Sequence, residues 1–164
     1  MGNMGRFDLS GLREFNNRLQ HLSNPDQFVE SCAKELAARL LRLCIKRTPV
    51  GVYPSGSGKT GGTLRRGWTN GNQASPQGYA ESIAVQHVGN VYKIDIINPV
   101  EYASYVEYGH RQQPGRFVPA IGKRLVHSWV HGRFMMTISE QELESIAPQI
   151  LERRIQQYMR GLIR

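Results

Sequence analysis

The sequence predicts a single α+β domain, and three observations carry that prediction. A chain of 164 residues has the length of one domain. Apolar residues recur at helical spacing towards both ends, whereas the middle of the chain alternates with the period of two that strands show. A composition of 40% hydrophobic and 21% charged residues excludes wholesale disorder. We expect a small antiparallel β-sheet packed against two N-terminal helices and C-terminal helices, with a long glycine-rich loop.

Within the domain 1–164 we expect a helical part at 8–47, a mobile loop at 51–63, a sheet at 64–97 and a mainly helical part at 100–164. The helical part contains two helices. The first is indicated by an N-cap at Ser10 and apolar residues at helical spacing, namely Leu12, Phe15, Leu19 and Leu22. The second is predicted over 25–47, because Asn24 and Pro25 are typical start residues and Pro49 stops the apolar run.

The two cysteines both fall in the second helix. Cys32 and Cys44 are separated by roughly 18 Å at a rise of about 1.5 Å per residue, which is too far for a disulfide. We interpret them as small buried groups of a reducing compartment.

The middle of the chain predicts a loop followed by strands. Residues 51–63 are rich in glycine and poor in apolar residues, so their backbone entropy is not offset by burial. Alternation over 83–86 and 92–96 predicts two strands, and Gly89-Asn90 between them is a hairpin signal. A further strand is expected at 65–69, around Trp68.

The last third predicts helices separated by a loop. A short helix is expected from Val100 to Tyr108, followed by a loop at 112–116. Pro119 opens a predicted helix that carries Ile121, Leu125 and Trp129. A capping box of Ser139 and Glu142 starts the final helix, in which Pro148 marks a kink or a true start.

The charge is strongly basic and unevenly distributed. Lysine and arginine exceed aspartate and glutamate by 8, and no acidic residue occurs between Glu35 and Glu81 or between Glu107 and Glu140. Such stretches suit contact with nucleic acid or with an acidic protein surface. Ordinary solubilising charge explains them equally well.

Two motifs that resemble catalytic or ligand sites fail on inspection. The string Gly56–Thr60 lacks the first glycine of a phosphate-binding loop, because Tyr53 stands in its place. His127 and His131 have zinc-ligand spacing on a helix, but Ser128 replaces the glutamate that a zinc protease needs. We therefore expect no catalytic, cofactor-binding or metal site, and no enzymatic activity.

Tyrosines crowd the predicted helix at 100–108. Tyr102, Tyr105 and Tyr108 occur within about two turns, so tyrosine faces more than one side. Tyrosine is enriched at protein interfaces, although a core helix with its phenol groups at the surface gives the same pattern.

Several blocks of the sequence resemble the tail-component family of long-tailed bacteriophages, which contains tail-completion (head–tail joining, neck) proteins. Thr48-Pro49-Val50, with Thr60-Gly61 and Thr63-Leu64-Arg65, resembles its "TPV…TG-x-L-R" opening. The segment 98–109 is similar to its "YA-x-Y-V-E-Y-G" block, and 117–120 to its "F…PA" entry into a helix. The chain departs from the pattern in a longer loop after Pro49, in His110 after the last glycine, and in a tail from 134 that no block covers.

The resemblance implies a non-enzymatic structural protein of the virion neck. Such subunits assemble as a homo-oligomeric ring, commonly a hexamer, between a head-closure (connector) protein and the tail terminator or tail tube. Genome DNA passes through the lumen, so the basic residues either contact DNA non-specifically or face acidic neighbouring proteins, and neither membrane contact nor a cofactor is expected. The protein would be made in the bacterial cytoplasm and end in the virion. Alternatives are a tail terminator or other minor tail protein, a small basic nucleic-acid-binding module, and, remotely, a hydrolase.

We expect three sets of contact residues on this interpretation. The first is the loop 51–66, and the second is the tyrosine helix, which contacts a neighbouring subunit or supports the sheet of its own subunit. The third is a projecting loop at 111–117. The corresponding residues are Lys59, Arg65 and Arg66; Tyr102, Tyr105, Glu107 and Tyr108; and Arg111, Arg116 and Phe117.

Overall fold

The computed structural model describes residues 25–71, 75–89, 91–119 and 122–163. The helix expected at 10–22 lies outside them. In chain order the described elements are α1 (Pro25–Arg47), α2 (Thr63–Gly67), α3 (Pro76–Ser82), β1 (Gln86–Val88), β2 (Val91–Lys93), α4 (Ala103–Tyr108), β3 (Gly109–Arg111), β4 (Phe117–Val118), β5 (Lys123–Arg124), β6 (Trp129–His131) and α5 (Met135–Ile163). The α+β class is confirmed, but the described strands pair as three two-stranded antiparallel sheets rather than as one.

Helices α1 and α5 pack against each other in antiparallel directions. Near the end of α1, the Cys44 Sγ lies 3.7 Å from the Met136 Sδ in the first turn of α5. Near the start of α1, the ring of Phe28 stacks on that of Tyr158, with centroids 4.3 Å apart. The prediction of a helix over 25–47 is confirmed to the residue. None of the described helices is long and apolar enough to cross a membrane.

The core lies where α2, α3 and the start of α5 meet one face of α1. Ala38, Leu41 and Cys44 of α1 are fully buried, and their spacing places them on one side of the helix. The other buried members are Ala37, Leu64, Trp68, Ala80 and Met135. We call helices α1–α5, which pack around this core, the frame.

A short hairpin leads from α3 back to the core. β1 and β2 pair antiparallel, with Val88 opposite Val91, so the predicted hairpin at Gly89-Asn90 is confirmed with shorter strands. After β2, Ile94 and Ile96 pack against the core without belonging to a strand. The alternation that predicted a longer strand therefore reflects one-sided burial without strand pairing.

Residues 109–119 and 122–131 form the two sides of a long irregular β-hairpin, which we call the arm. β3 pairs with β6 at its base, and β4 pairs with β5 near its tip. Between them, the Gln112 N–H donates to the Ser128 carbonyl and the Gly115 N–H to the Leu125 carbonyl, both at 2.8 Å. Most side chains of the arm are exposed.

The prediction of a strand at 65–69 is wrong, because residues 65–67 belong to helix α2. α2 and the turn after it place Leu64 and Trp68, which are four residues apart, on the same buried side. α3 also has no counterpart among the predicted elements. Its start carries the expected signals, since Pro76 occupies the first turn and Ser75 accepts a hydrogen bond from the Gly78 N–H. The expected sheet at 64–97 is thus two helices and one hairpin.

The prediction of a helix that begins at Pro119 is also wrong, because residues 122–131 belong to the arm. Gly115 and Gly122 have positive φ, and Phe117–Val118 pairs antiparallel with Lys123–Arg124. The final helix starts at Met135, before the expected capping box, and Ser139 lies inside it with its hydroxyl donating to the Met135 carbonyl. Pro148 is accommodated within α5. The part 100–164 therefore contains a β-arm between its helices.

Candidate assembly surface

The residues of the first motif block hold the frame together. Thr48 is 1% exposed; its hydroxyl donates to the Cys44 carbonyl at 2.6 Å and accepts from the Trp68 indole Nε1 at 2.6 Å. The Arg65 guanidinium donates twice to the Thr48 carbonyl, at 3.2 and 2.7 Å. A buried Trp N–H needs an acceptor, and Thr48 supplies it at the end of α1. Arg65, an expected contact residue, is thus engaged within the subunit, although its side chain is exposed.

Asn98 joins the second motif block to the first. Its Nδ2 donates to the Leu64 carbonyl at 2.9 Å, and its Oδ1 accepts from the Val100 N–H at 3.2 Å. Gly67 lies against this amide, and a Cβ there would collide with the Asn98 and Val100 side chains. The block therefore fixes the entry into α4 against α2.

Glu107 caps α5 from α4. Its Oε2 accepts from the Met136 N–H at 2.9 Å, and its Oε1 accepts from the Thr137 N–H at 3.0 Å and the Thr137 hydroxyl at 2.9 Å. The first N–H groups of a helix lack partners within the helix, and the helix dipole favours a negative charge there. Since Glu107 is 6% exposed, its carboxylate is engaged inside the subunit.

The tyrosines of α4 lie on the surface. Tyr102, Tyr105 and Tyr108 are 45%, 58% and 65% exposed, whereas Val106 packs against the core. The Tyr105 ring lies 5.6 Å from the His110 ring at the base of the arm. The tyrosine-rich segment therefore has one core-facing side and an exposed aromatic surface, which we call the tyrosine face.

The glycine-rich loop projects beside the tyrosine face. Its ends approach each other, because a Cβ on Gly61 would collide with the Gly51 carbonyl, and Arg66 Nη1 donates to the Gly61 carbonyl at 3.1 Å. Val52 is 94% exposed, and the Lys59 Nζ lies 6.0 Å from the Tyr53 ring centre. A pocket of about 260 Å³ lies between this loop and α4. Its lining includes Val50, Tyr53, Leu64, Tyr102 and Val106, together with Pro49, Gly51 and residues 60–63.

The arm leaves the frame at the end of α4, where two glycines cross. Gly109 has a φ of 84°, and a Cβ there would collide with the Val130 carbonyl and the Gly132 N–H. The expected contact residues Arg111, Arg116 and Phe117 all lie on the arm and are exposed. The predicted loop at 112–116 is thus one side of a paired hairpin.

The ten expected contact residues therefore separate into two groups. Arg65 and Glu107 are engaged in bonds that hold the frame, whereas the other eight are exposed on the loop and α2, the tyrosine face and the arm. Sequence reasoning missed Trp129, which is 44% exposed on the arm, because it was assigned to a helix. Gly122 and Gly132, which flank β5 and β6, are the signal that favours a hairpin over a helix there.

The residues of the incomplete phosphate-loop and zinc motifs lie in surroundings that differ from those which these motifs require. The Gly56–Thr60 segment lies in the exposed loop and opens no helix directly. His131 lies on β6 and His127 precedes that strand, so the two histidines do not share a helix. In the part of the chain that is described, no cluster of three His, Cys, Asp or Glu residues is arranged to hold a metal. Burial raises the pKa of the Cys44 thiol to about 11.

Comparison with known proteins places the chain in a family. The family model described as "Bacteriophage HK97-gp10, putative tail-component" matches residues 13–109, more than half of the chain. No curated protein and no solved structure shows significant similarity. The match contains both motif blocks that build the frame and ends at the base of the arm. The chain therefore belongs to the HK97 gp10 family of structural phage tail components.

Proposed function

We propose that this chain is the tail-completion (head–tail joining) subunit of a phage neck. In this proposal it forms a homo-hexameric ring between a head-closure (connector) protein and the tail terminator or tail tube, and genome DNA passes through the ring. The proposal rests mainly on the observation that the family's motif residues build a small frame from which the loop and the arm project. A subunit that must contact neighbours on several sides needs such projecting, unpartnered surface.

The tyrosine face supports contact with a neighbouring subunit. Tyr102, Tyr105 and Tyr108 are rigid amphipathic groups that bury large area at a low entropic cost. They adjoin both the loop pocket and the base of the arm. One partner surface laid on α4 would therefore also contact both projections. The proposed interface therefore contains the tyrosine face, Lys59 and Arg66 on the loop side, and Arg111, Arg116 and Phe117 on the arm.

Electron microscopy of the head–tail junction tests the neck assignment. We expect a symmetric ring of this chain around the DNA channel, immediately below the head-closure protein. A ring at the top of the tail tube would make the chain a tail terminator instead. Absence of the chain from purified particles would refute the neck function.

Deletion of 52–60 tests the role of the loop. The deletion joins Gly51 to Gly61, which already lie in contact, so the frame should fold normally. We expect separate full heads and tails in place of joined particles, with a native circular dichroism spectrum of the purified variant. The matched control replaces 52–60 by glycine and serine of equal length, and separates loop length from loop chemistry. Normal particle yield after the deletion would exclude the loop from joining.

A basic nucleic-acid-binding module is the second candidate, because the arm carries cations and no acid. It predicts that a stable monomer binds duplex DNA with an affinity that falls steeply with salt. The neck proposal predicts that the chain is retained in particles after the genome has been released.

A further inference from the structure

The arm has a surface that its own subunit leaves exposed. Across β3 and β6 Arg111 lies opposite Trp129, and across β4 and β5 Phe117 lies opposite Arg124. Residues directly opposite in an antiparallel pair point to the same side, so each pair places a cationic and an aromatic side chain on one side of the arm. Phe117 is 50% exposed and Trp129 is 44% exposed. Because a two-stranded hairpin is marginally stable alone in water, a partner on these side chains would stabilise the arm.

The charge of the arm is entirely positive. It carries no acidic residue, and its cations are Arg111, Arg116, Lys123 and Arg124. None of them forms an ion pair with a described carboxylate; Arg124 donates only to the Gly115 carbonyl, at 2.7 Å. The partner that best fits this arm therefore presents carboxylates beside apolar surface.

The first half of α5 presents the opposite charge. Residues 135–149 contain no lysine or arginine, and their acidic residues at 140, 142 and 144 are all exposed. Glu142 pairs with Arg47 of α1, whereas Glu140 and Glu144 have no ion-pair partner among the described residues. The latter two are four residues apart, so they lie on the same side of the helix.

We propose that the arm of one subunit docks on the Glu140–Glu144 side of α5 in a second copy of this chain. The inference rests on the self-assembly proposed above and names the contact that produces it. Because the arm and its acceptor are different surfaces, the contact is heterologous, and its repetition generates a closed ring when the rotation closes.

The side chains of the arm favour a protein over DNA as the partner. Non-specific binding to a duplex depends on cations near phosphates and gains little from exposed aromatic side chains. Arginine paired with Trp or Phe in an apolar setting is typical of protein interfaces, where Trp and Arg contribute most of the binding energy. The acceptor on α5 supplies the carboxylates that such cations need.

A charge-reversal exchange in the full-length chain tests this contact. The arm variant carries Arg111→Glu and Arg124→Glu, and the helix variant carries Glu140→Lys and Glu144→Lys. The matched control for overall charge carries Lys46→Glu and Arg153→Glu, two exposed cations outside both surfaces. Self-association is measured by sedimentation at high protein concentration, and the contact is also sought by carboxylate–lysine cross-linking between Lys123 and α5 in purified particles.

We expect each reversal alone to weaken self-association roughly tenfold or more, and the control to leave it near wild type. An equimolar mixture of the two reversals should regain assembly, because alternating subunits then match at every contact. Unchanged association in either reversal, or failure of the mixture, overturns the inference while leaving a self-assembling neck protein in place. Loss of duplex DNA binding by the arm variant with unchanged self-association would make the arm a DNA contact. A wild-type chain that neither associates nor cross-links overturns both proposals.

Discussion

The frame and the arm use similar side chains in opposite ways. In the frame, Leu41 and Trp68 are 0% and 4% exposed and lie among several elements, whereas Val126 and Trp129 of the arm are 78% and 44% exposed. The frame satisfies central buried polar groups internally, as the Thr48 bonds to Trp68 and Cys44 show. The arm leaves apolar and cationic groups exposed together. The frame is therefore stabilised by its own contacts, whereas the arm gains little stabilisation from the rest of its subunit.

The largest effect should come from truncating the core. Leu41→Ala leaves a cavity in the fully buried face of α1, and we expect a loss of about 3–4 kcal/mol in the free energy of unfolding. Val126→Ala on the arm is the matched control, with an expected change below about 0.5 kcal/mol. Urea unfolding of both variants measures the difference. Equal losses would mean that the arm packs as tightly as the frame.

A somewhat smaller effect is expected where the arm leaves the frame. Gly109→Ala combines a positive φ with collision against the Val130 carbonyl, and we expect a destabilisation of about 3 kcal/mol. Gly115→Ala has the same φ of 84° but nothing within 4 Å of the new Cβ, so only about 1 kcal/mol should be lost. Thermal unfolding of the two variants separates the clash from the backbone strain. Similar melting temperatures would contradict the tight crossing.

Removing the cap of α5 should lower the free energy of unfolding by less than Gly109→Ala does. Glu107→Ala leaves the N–H groups of Met136 and Thr137 without their acceptor, and we expect a loss of about 2 kcal/mol. Glu107→Gln keeps an acceptor oxygen without the charge, so about half of the stability should return. The measurement is urea unfolding at neutral pH. An Ala variant as stable as wild type, but defective in self-association, would make Glu107 an interface residue.

The smallest effect concerns the β1–β2 hairpin at high pH. The Tyr92 hydroxyl donates to the Asp26 carboxylate at 2.5 Å, and this hydrogen bond raises the pKa of Tyr92 above its ordinary value of 10.0. A raised pKa in the folded state means that the contribution is present below pH 10 and is lost as the pH rises through the folded value. Wild type should therefore lose more stability than Tyr92→Phe between pH 9 and pH 12. Parallel pH profiles of the two proteins would exclude the contact.

The elements that the sequence predicted well are those whose pattern is local. The start at Pro25, the unbroken apolar face and the stop before Pro49 gave α1 its bounds, and Gly89-Asn90 gave the hairpin turn. The expected contact residues follow from the family resemblance, from predicted loops and from residue type. Residue type does not distinguish an exposed Tyr108 from a buried Glu107 that caps another helix.

Local patterns in the sequence are sufficient for the α+β class, helix α1, the acid-free stretches and the motif blocks by which the family is recognised. Tertiary contacts are needed to assign 122–131 to the arm and α2 to a helix, because these short segments satisfy their backbone and side chains through distant partners. Thr48 is such a partner for Trp68, and one side of the arm is the partner of the other. Local propensity over a few residues is weaker than those contacts.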